Sequence, residues 1–403
     1  MMRIVIIFAP ANWKNWTQLL RRHRGSTMAE NGFSNGSDSA AAIRPVLLID
    51  QGVYSNYAVY LRRILIGLAD AGDPAAVVCP GDMDAALLDC PMVEKIDYPA
   101  LRLGIFSATN RRILLERLKR FKPTVIHAFW PGQAELAAFL SESLDVPFVI
   151  TFHGRPKRRD RRRKAMSGAA RLLAPSDVLI KHVAAALPAM RQRIEHVPIG
   201  CYVEDSCACF ARMDRPASLI AVHPLDDVRL FEPLLGAVRH LLLDGFELML
   251  VLMGSGKAEP AVRRQIRSLG LTPAVTIVPL MRPLRTVLAG ADVFLHLHDR
   301  GLFNAQMLEA MGVGLAIAGA EDATSGLLID GQTAALWDGK DEMSIYSCLK
   351  RLLSQRESAR RLALNAQAFL QQQCGVSCMI ENVLSAYAAA RQSVKKQSVH
   401  AAG

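Results

Sequence analysis

The chain lacks what a membrane-spanning or a disulfide-stapled protein needs. No uninterrupted apolar run reaches about 18 residues, which argues against a transmembrane helix. Its eight cysteines are too few and too scattered for a disulfide framework in 403 residues, and they fit a reducing compartment. Acidic side chains are absent from residues 1–28, and Asp160 is the single acid among eight basic groups in residues 155–164. Aromatic residues are missing from 155–170. Without them that basic stretch has no stacking platform for single-stranded nucleic acid.

What is present suffices for two cores. A hydrophobic fraction of 51% with 21% charged residues excludes global disorder. The length implies two domains of roughly 150–200 residues each. The net charge of +11 is local: residues 155–164 carry +7, residues 1–28 carry +5 and residues 391–403 carry +3, so the rest is about −4. Such a chain is not a basic nucleic-acid binder. Its patches seek phosphate or anionic lipid.

Residues 1–43 read as a leader or linker, poorly ordered. Ile4–Phe8 behind Arg3 has the look of a signal peptide. Trp13, Trp16 and Leu20, beside Arg21, Arg22 and Arg24, fit either an interfacial amphipathic helix or a disordered leader ahead of a true start at Met28. Order is expected from Arg44. Val46–Ile49 is a strand, Asp50–Asn56 a polar loop holding Gly52, Tyr57–Ala71 a helix and Ala75–Cys79 a strand, which together make one βαβ unit. Alternation continues through strands at Thr124–His127, Val146–Phe152, Arg171–Ala174 and His196–Ile199. After a boundary near Arg212–Pro216 the pattern restarts, with strands at Leu219–His223, Glu247–Met253, Val275–Val278, Val293–Leu297 and Ala316–Ala318. A last helix is expected over Cys378–Ala389, ahead of a polar tail. The expected layout is a domain over 44–212, a second over 213–376, a crossing helix over 377–390 and a tail over 391–403. The fold class is α/β, two doubly wound Rossmann-like domains facing a central cleft.

Seven segments in order carry a family resemblance. They are Phe121–His127 (FKPTVIH), Val149–Gly154 (VITFHG), Ala174–Ser176 (APS), Val197–Gly200 (VPIG), Leu250–Gly256 (LVLMGSG), Ala289–Val293 (AGADV) and Met307–Gly314 (MLEAMGVG). Over about residues 44–390 the chain resembles the family 4 glycosyltransferases of GT-B fold, retaining enzymes that use nucleotide sugars. The family's acidic motif has two glutamates eight positions apart. Glu309 matches the second, and Gly301 stands at the first. Pro224 stands where the family carries a diphosphate-binding arginine, and Arg229 is the candidate for its lysine.

The resemblance implies that Glu309 accepts hydrogen bonds from the donor ribose. The residues alone allow a carboxylate that merely stabilises its own helix start. Phe303 and Asn304, at that helix N-terminus, are expected to offer amides to the diphosphate. His153 ends a strand, where doubly wound sheets bind ligands. In the family its counterpart lines the sugar site, orienting the donor or taking a proton from the acceptor hydroxyl. A loop histidine bonded to backbone is the plainer account. Gly254 and Gly256 are expected to wall the nucleotide pocket, with Lys257 adding charge. Gly52 is either a phosphate or acceptor loop glycine or a plain turn. Arg155, Lys157, Arg158, Arg159, Arg161, Arg162, Arg163 and Lys164 form an anionic-surface candidate at the mouth of the acceptor domain, or a solvated loop. His196, Cys201, Cys207 and Cys209 fit no zinc spacing, and the cysteines read as small, buried thiols. His296 and His298 read as strand packing beside Asp299.

The implied reaction moves a sugar from a nucleotide-diphosphate donor, a co-substrate, to a glycan or lipid-linked acceptor. It needs no cofactor and no metal, and no nucleic acid takes part. The expected place is the cytoplasm, peripherally on the membrane face. A catalytically degenerate scaffold for polysaccharide assembly is the alternative, and a sugar-nucleotide epimerase a distant third.

Overall fold

The computed structural model describes residues 42–81, 83, 88–99, 107–156, 160–297, 301–321 and 324–401. The readings made on residues 1–41, on Lys157, Arg158 and Arg159, and on His298 and Asp299 lie outside the described residues.

The first sheet has seven parallel strands. They are β1 (Pro45–Leu48), β2 (Ala75–Cys79), β3 (Val93–Asp97), β4 (Val125–Ala128), β5 (Phe148–Thr151), β6 (Arg171–Ala174) and β7 (Ile194–His196), in spatial order β3-β2-β1-β4-β5-β6-β7. Helices α1 (Gln51–Asp70), α2 (Ser107–Phe121), α3 (Ala134–Leu144), α4 (Arg163–Met166) and α5 (Asp177–Ala186) alternate with them. In the second sheet β8 (Ala217–Val222), β9 (Leu248–Met253), β10 (Val275–Val278), β11 (Val293–His296), β12 (Ala316–Ala320) and β13 (Ala335–Trp337) run in order β10-β9-β8-β11-β12-β13. Its helices are α6 (Glu232–Leu243), α7 (Glu259–Ser268), α8 (Leu284–Leu288), α9 (Ala305–Val313), α10 (Glu342–Ser354) and α11 (Arg356–Gln373). The last helix, α12 (Val376–Ala401), packs on α1, β4 and β5 of the first sheet.

Short apolar runs make these strands because helices cover both faces of the sheets. β1, β2, β4 and β5 are buried at every position. The register places Leu47 beside His127 and Ala128 beside Ile150. One apolar core, containing Leu47, Tyr60, Phe294, Met311 and Tyr387, runs through both sheets' inner faces. Each large side chain fully buried there contributes about 1.5–3 kcal/mol.

Several boundaries differ from expectation, each for a physical reason. The loop expected at Asp50–Asn56 is helix from Gln51, because the Asp50 carboxylate caps α1 by accepting from the Val53 amide at 2.9 Å. Gly52 therefore sits in the first helical turn, not in a loop. The strand expected at His196–Ile199 lies at Ile194–His196. Pro198 cannot donate to a ladder, and the chain leaves the sheet there toward the second lobe. Strand β3 has no apolar run to announce it, because it is a charged edge strand whose one buried residue is Ile96. Helix α12 continues to Ala401 through the stretch expected as a tail.

Candidate active site

Both sheets reverse their winding once, between β1 and β4 and between β8 and β11. Doubly wound sheets bind ligands at the carboxyl ends of strands beside such a reversal. In the first lobe those ends carry the start of α1, the turn after β4 and, one strand over, His153. In the second they carry His223–Pro224 and the loop leading to α9.

The two sets of loops meet. Phe303 donates its amide to the His153 carbonyl at 2.7 Å, and Arg155 donates to the Gly301 carbonyl at 2.8 Å. Gly154 and Leu302 form an antiparallel bridge between these bonds. The Tyr57 hydroxyl of α1 donates to the Phe303 carbonyl at 2.8 Å. The amide of Phe303, expected at a diphosphate, is thus held by the first lobe. Asn304 uses its side chain to cap α9, accepting from Met307 at 3.0 Å, and its other amide atom lies 3.1 Å from His296 Nδ1.

His153 is fully buried. Its ring stacks on Tyr57 at 4.0 Å between centroids and meets the edge of Tyr60 at 5.7 Å. Neither ring nitrogen has a protein partner. Burial pulls its pKa down from 6.5 to about 3, so the ring is neutral near pH 7. His127, one strand away, is equally buried, but its nitrogens reach Tyr387 Oη and Thr151 Oγ1, each at 2.7 Å. A neutral, aromatic-walled imidazole with both nitrogens unpaired is suited to hydrogen bonding a hydroxyl. It is a poor proton acceptor in this state.

Glu309 lies on α9 and is 4% exposed. Its oxygens accept from Arg63 Nη1 at 2.6 Å, Arg63 Nη2 at 3.0 Å and Arg285 Nη1 at 2.9 Å. Burial alone would raise this carboxyl, but the two guanidinium groups outweigh it and hold the pKa below the usual range. Arg63 comes from α1 in the first lobe and Arg285 from α8 in the second. Neither was singled out from sequence. Arg63 had one readable signal, since it falls three residues after Tyr60 on the helix face that Leu61, Ile64 and Leu65 also flank. Arg285 had none, because α8 is only five residues long.

The other candidates divide. Gly301 has a left-handed φ of 72°, so a side chain at this motif position would be strained. A Cβ on Gly254 would stand 2.1 Å from the His223 carbonyl oxygen, and one on Gly256 2.4 Å from that of Leu225. These glycines let the loop after β9 pack against the loop after β8. Arg229 is turned outward, its side chain 81% exposed and paired with Asp227 at 2.8 Å. It does not join Glu309. In the basic run, Arg155, Arg161, Arg163 and Lys164 are exposed, and Arg162 is half-buried against Asp160 at 3.6 Å. Cys201, Cys207 and Cys209 are buried. Among the described residues no group of three or more His, Cys, Asp or Glu side chains gathers as a metal site.

Two family models match this architecture lobe by lobe. The Glycosyltransferase Family 4 model covers residues 57–204, and the Glycosyl transferases group 1 model covers residues 222–355. The chain is a glycosyltransferase family 4-like protein. Solved structures agree on the GT-B fold. A glycosyltransferase from Rickettsia africae superposes with a TM-score of 0.72 at 12% identity, covering 87% of this chain and 99% of that one. Anabaena HepE in complex with UDP and glucose gives 0.72 at 15%, covering 86% and 100%. The lipopolysaccharide outer core galactosyltransferase WaaB gives 0.64 at 14%, covering 85% and 98%. No curated relative matches the sequence. In this family 4-like transferase the MLEAMGVG segment forms α9, and the VITFHG segment forms β5 with His153 at its end. Among the described residues no helix is long and apolar enough to cross a membrane.

Proposed function

We propose that this GT-B glycosyltransferase takes its sugar from a nucleotide-diphosphate donor and passes it, with retention of anomeric configuration, to a hydroxyl on a lipid-linked or envelope glycan. The observation that carries the reading is the joining of the α9 loop to the end of β5. It sets the turn that opens the Glu309 helix beside a buried histidine with unpaired ring nitrogens. The Anabaena protein's complexes with UDP and with UDP-glucose support the donor class.

In this reading the N-terminus of α9 lends its positive dipole end to the leaving diphosphate. Glu309 accepts a hydrogen bond from the donor ribose. His153 hydrogen-bonds a sugar hydroxyl, which orients the transferred ring. Charge stabilisation comes from the helix dipole and backbone amides, so the reading calls for no metal and no cofactor. In this reading Arg155, Arg161, Arg163 and Lys164 meet an anionic membrane surface or a lipid pyrophosphate, with the enzyme peripheral on the cytoplasmic face.

The test is release of nucleoside diphosphate from UDP-, GDP- and ADP-sugars, with membrane extracts as acceptor source. One donor class turns over, and Glu309→Ala and His153→Ala each cut that turnover by about a hundredfold or more, the scale of a lost group acting in the transition state. Unchanged rates in both variants would remove these residues from the site. No turnover of any donor would favour a catalytically degenerate scaffold.

A further inference from the structure

One buried contact between the lobes is ionic. Arg63 and Glu309 stand 246 residues apart in sequence, and their side chains are each 6% exposed. Arg63 belongs to the lobe of the first sheet, Glu309 and Arg285 to that of the second. The same guanidinium donates to the Gly200 carbonyl at 2.6 Å and lies 5.1 Å from the ring of Tyr202. Arg285 donates to the Tyr202 carbonyl at 3.0 Å and to Glu204 at 2.6 Å. Residues 200–204 belong to the segment that carries the chain from one sheet to the other. Beside it the chain returns, with the Cys201 amide donating to the Cys374 carbonyl at 2.8 Å. The ion cluster therefore sits where both crossings pass.

Charge counting excludes one role. Glu204, Arg285, Glu309 and Arg63 form a chain of alternating signs with no surplus cation, so the two arginines do not make a free phosphate clamp. Oxygen counting suggests another. A carboxylate offers about four acceptor positions. The arginines fill three on Glu309, and the fourth is on Oε1. Arg63's planar fork fixes both oxygens in direction as well as charge. That fork reaches Glu309 only while the lobes are together.

We propose that Arg63 is a positioning residue for the donor site: it orients the Glu309 carboxylate toward the donor ribose and makes that orientation conditional on lobe closure. The proposal rests on the donor reading given above. Arg63 touches no substrate; it acts through Glu309.

The experiment compares the tightest binder among UDP, GDP and ADP with its 2′,3′-dideoxy analogue, by calorimetry on the full chain. A hydrogen bond from a ribose hydroxyl to the one open position of a fixed carboxylate gives a preference of about tenfold or more for the ribose form. Arg63→Lys keeps the charge and loses the fork, and the preference falls to within about threefold while base selectivity stays. Arg63→Gln, read the same way, covers the case in which the lysine variant does not fold. An unchanged preference in the folded variant overturns the proposal. Tighter nucleotide binding in the variant also overturns it, since Arg63 would then compete with the donor for Glu309. A wild-type protein that binds no diphosphate sinks the donor reading itself; binding with an unaltered preference sinks only the role of Arg63.

Discussion

The Phe303 amide donates to the His153 carbonyl at 2.7 Å, and this bond ties the turn ahead of α9 to the turn that follows β5. Gly301 belongs to the same junction, its carbonyl accepting from Arg155. Backbone pairing links the lobes here, with the Tyr57 hydroxyl bonding to Phe303 beside it.

This junction predicts the cost of restoring the family's first glutamate. Gly301 holds a φ of 72°, and Arg155 carbons stand 3.8–3.9 Å from where a Cβ would be. Space is adequate, so strain decides. Gly301→Glu is expected to lower stability by about 1–2 kcal/mol in urea melts, without raising turnover. Unaltered stability with faster turnover would show that the loop leaves the left-handed region at no cost.

Two buried histidines set an acid limit. Burial, with a lesser repulsion between His127 and His153, brings the His127 pKa from 6.5 to about 3, and burial does the same for His153. The unfolded chain takes up these protons below 6.5, whereas the folded chain holds out until about 3. Their contribution is complete above pH 6.5 and is lost as pH falls through that window, at about 1.4 kcal/mol per pH unit for each histidine. Urea melts at about pH 7, 6 and 5 read the slope, and His127→Gln should flatten it by about half. A flat wild-type profile would contradict the burial account.

Gln133 carries an orphan. It is 4% exposed, and neither amide atom has a protein partner. Gln133→Leu removes an unsatisfied group at similar volume, and a gain of about 1 kcal/mol is expected in thermal melts. A loss of that size would mean the amide is satisfied in solution.

The exposed basic groups after His153 predict membrane docking. Replacing Arg161, Arg163 and Lys164 by Gln should weaken binding to phosphatidylserine vesicles about a hundredfold, at about 1 kcal/mol per charge. Added salt should do the same to the wild type. Equal sedimentation with neutral phosphatidylcholine vesicles would remove the surface role.

Local pattern made the lobes legible. The apolar run Val46–Ile49, the LVLMGSG turn and the MLEAMGVG helix each read correctly because period and punctuation are short-range signals. Segments of eight residues or fewer, in order, also disclosed the family. What stayed hidden depends on partners far along the chain. Nothing near Arg63 announces Glu309, and nothing near Phe303 announces that its amide is claimed by His153. Asp50 was legible as a polar residue but not as a cap, since the helix-poor stretch Gln51–Asn56 follows it. Arg229 shows the converse: the right residue type at a plausible spacing, exposed and paired with its neighbour Asp227.

The central claim is a live donor site in the closed cleft, and calorimetric titration with UDP, GDP and ADP tests it most directly. The account predicts that one of the three binds with a dissociation constant of about micromolar, near −8 kcal/mol, and that Glu309→Ala weakens it. Absence of binding by all three would contradict the account, and would make the glycine at 301 and the proline at 224 marks of a fold that no longer holds a donor.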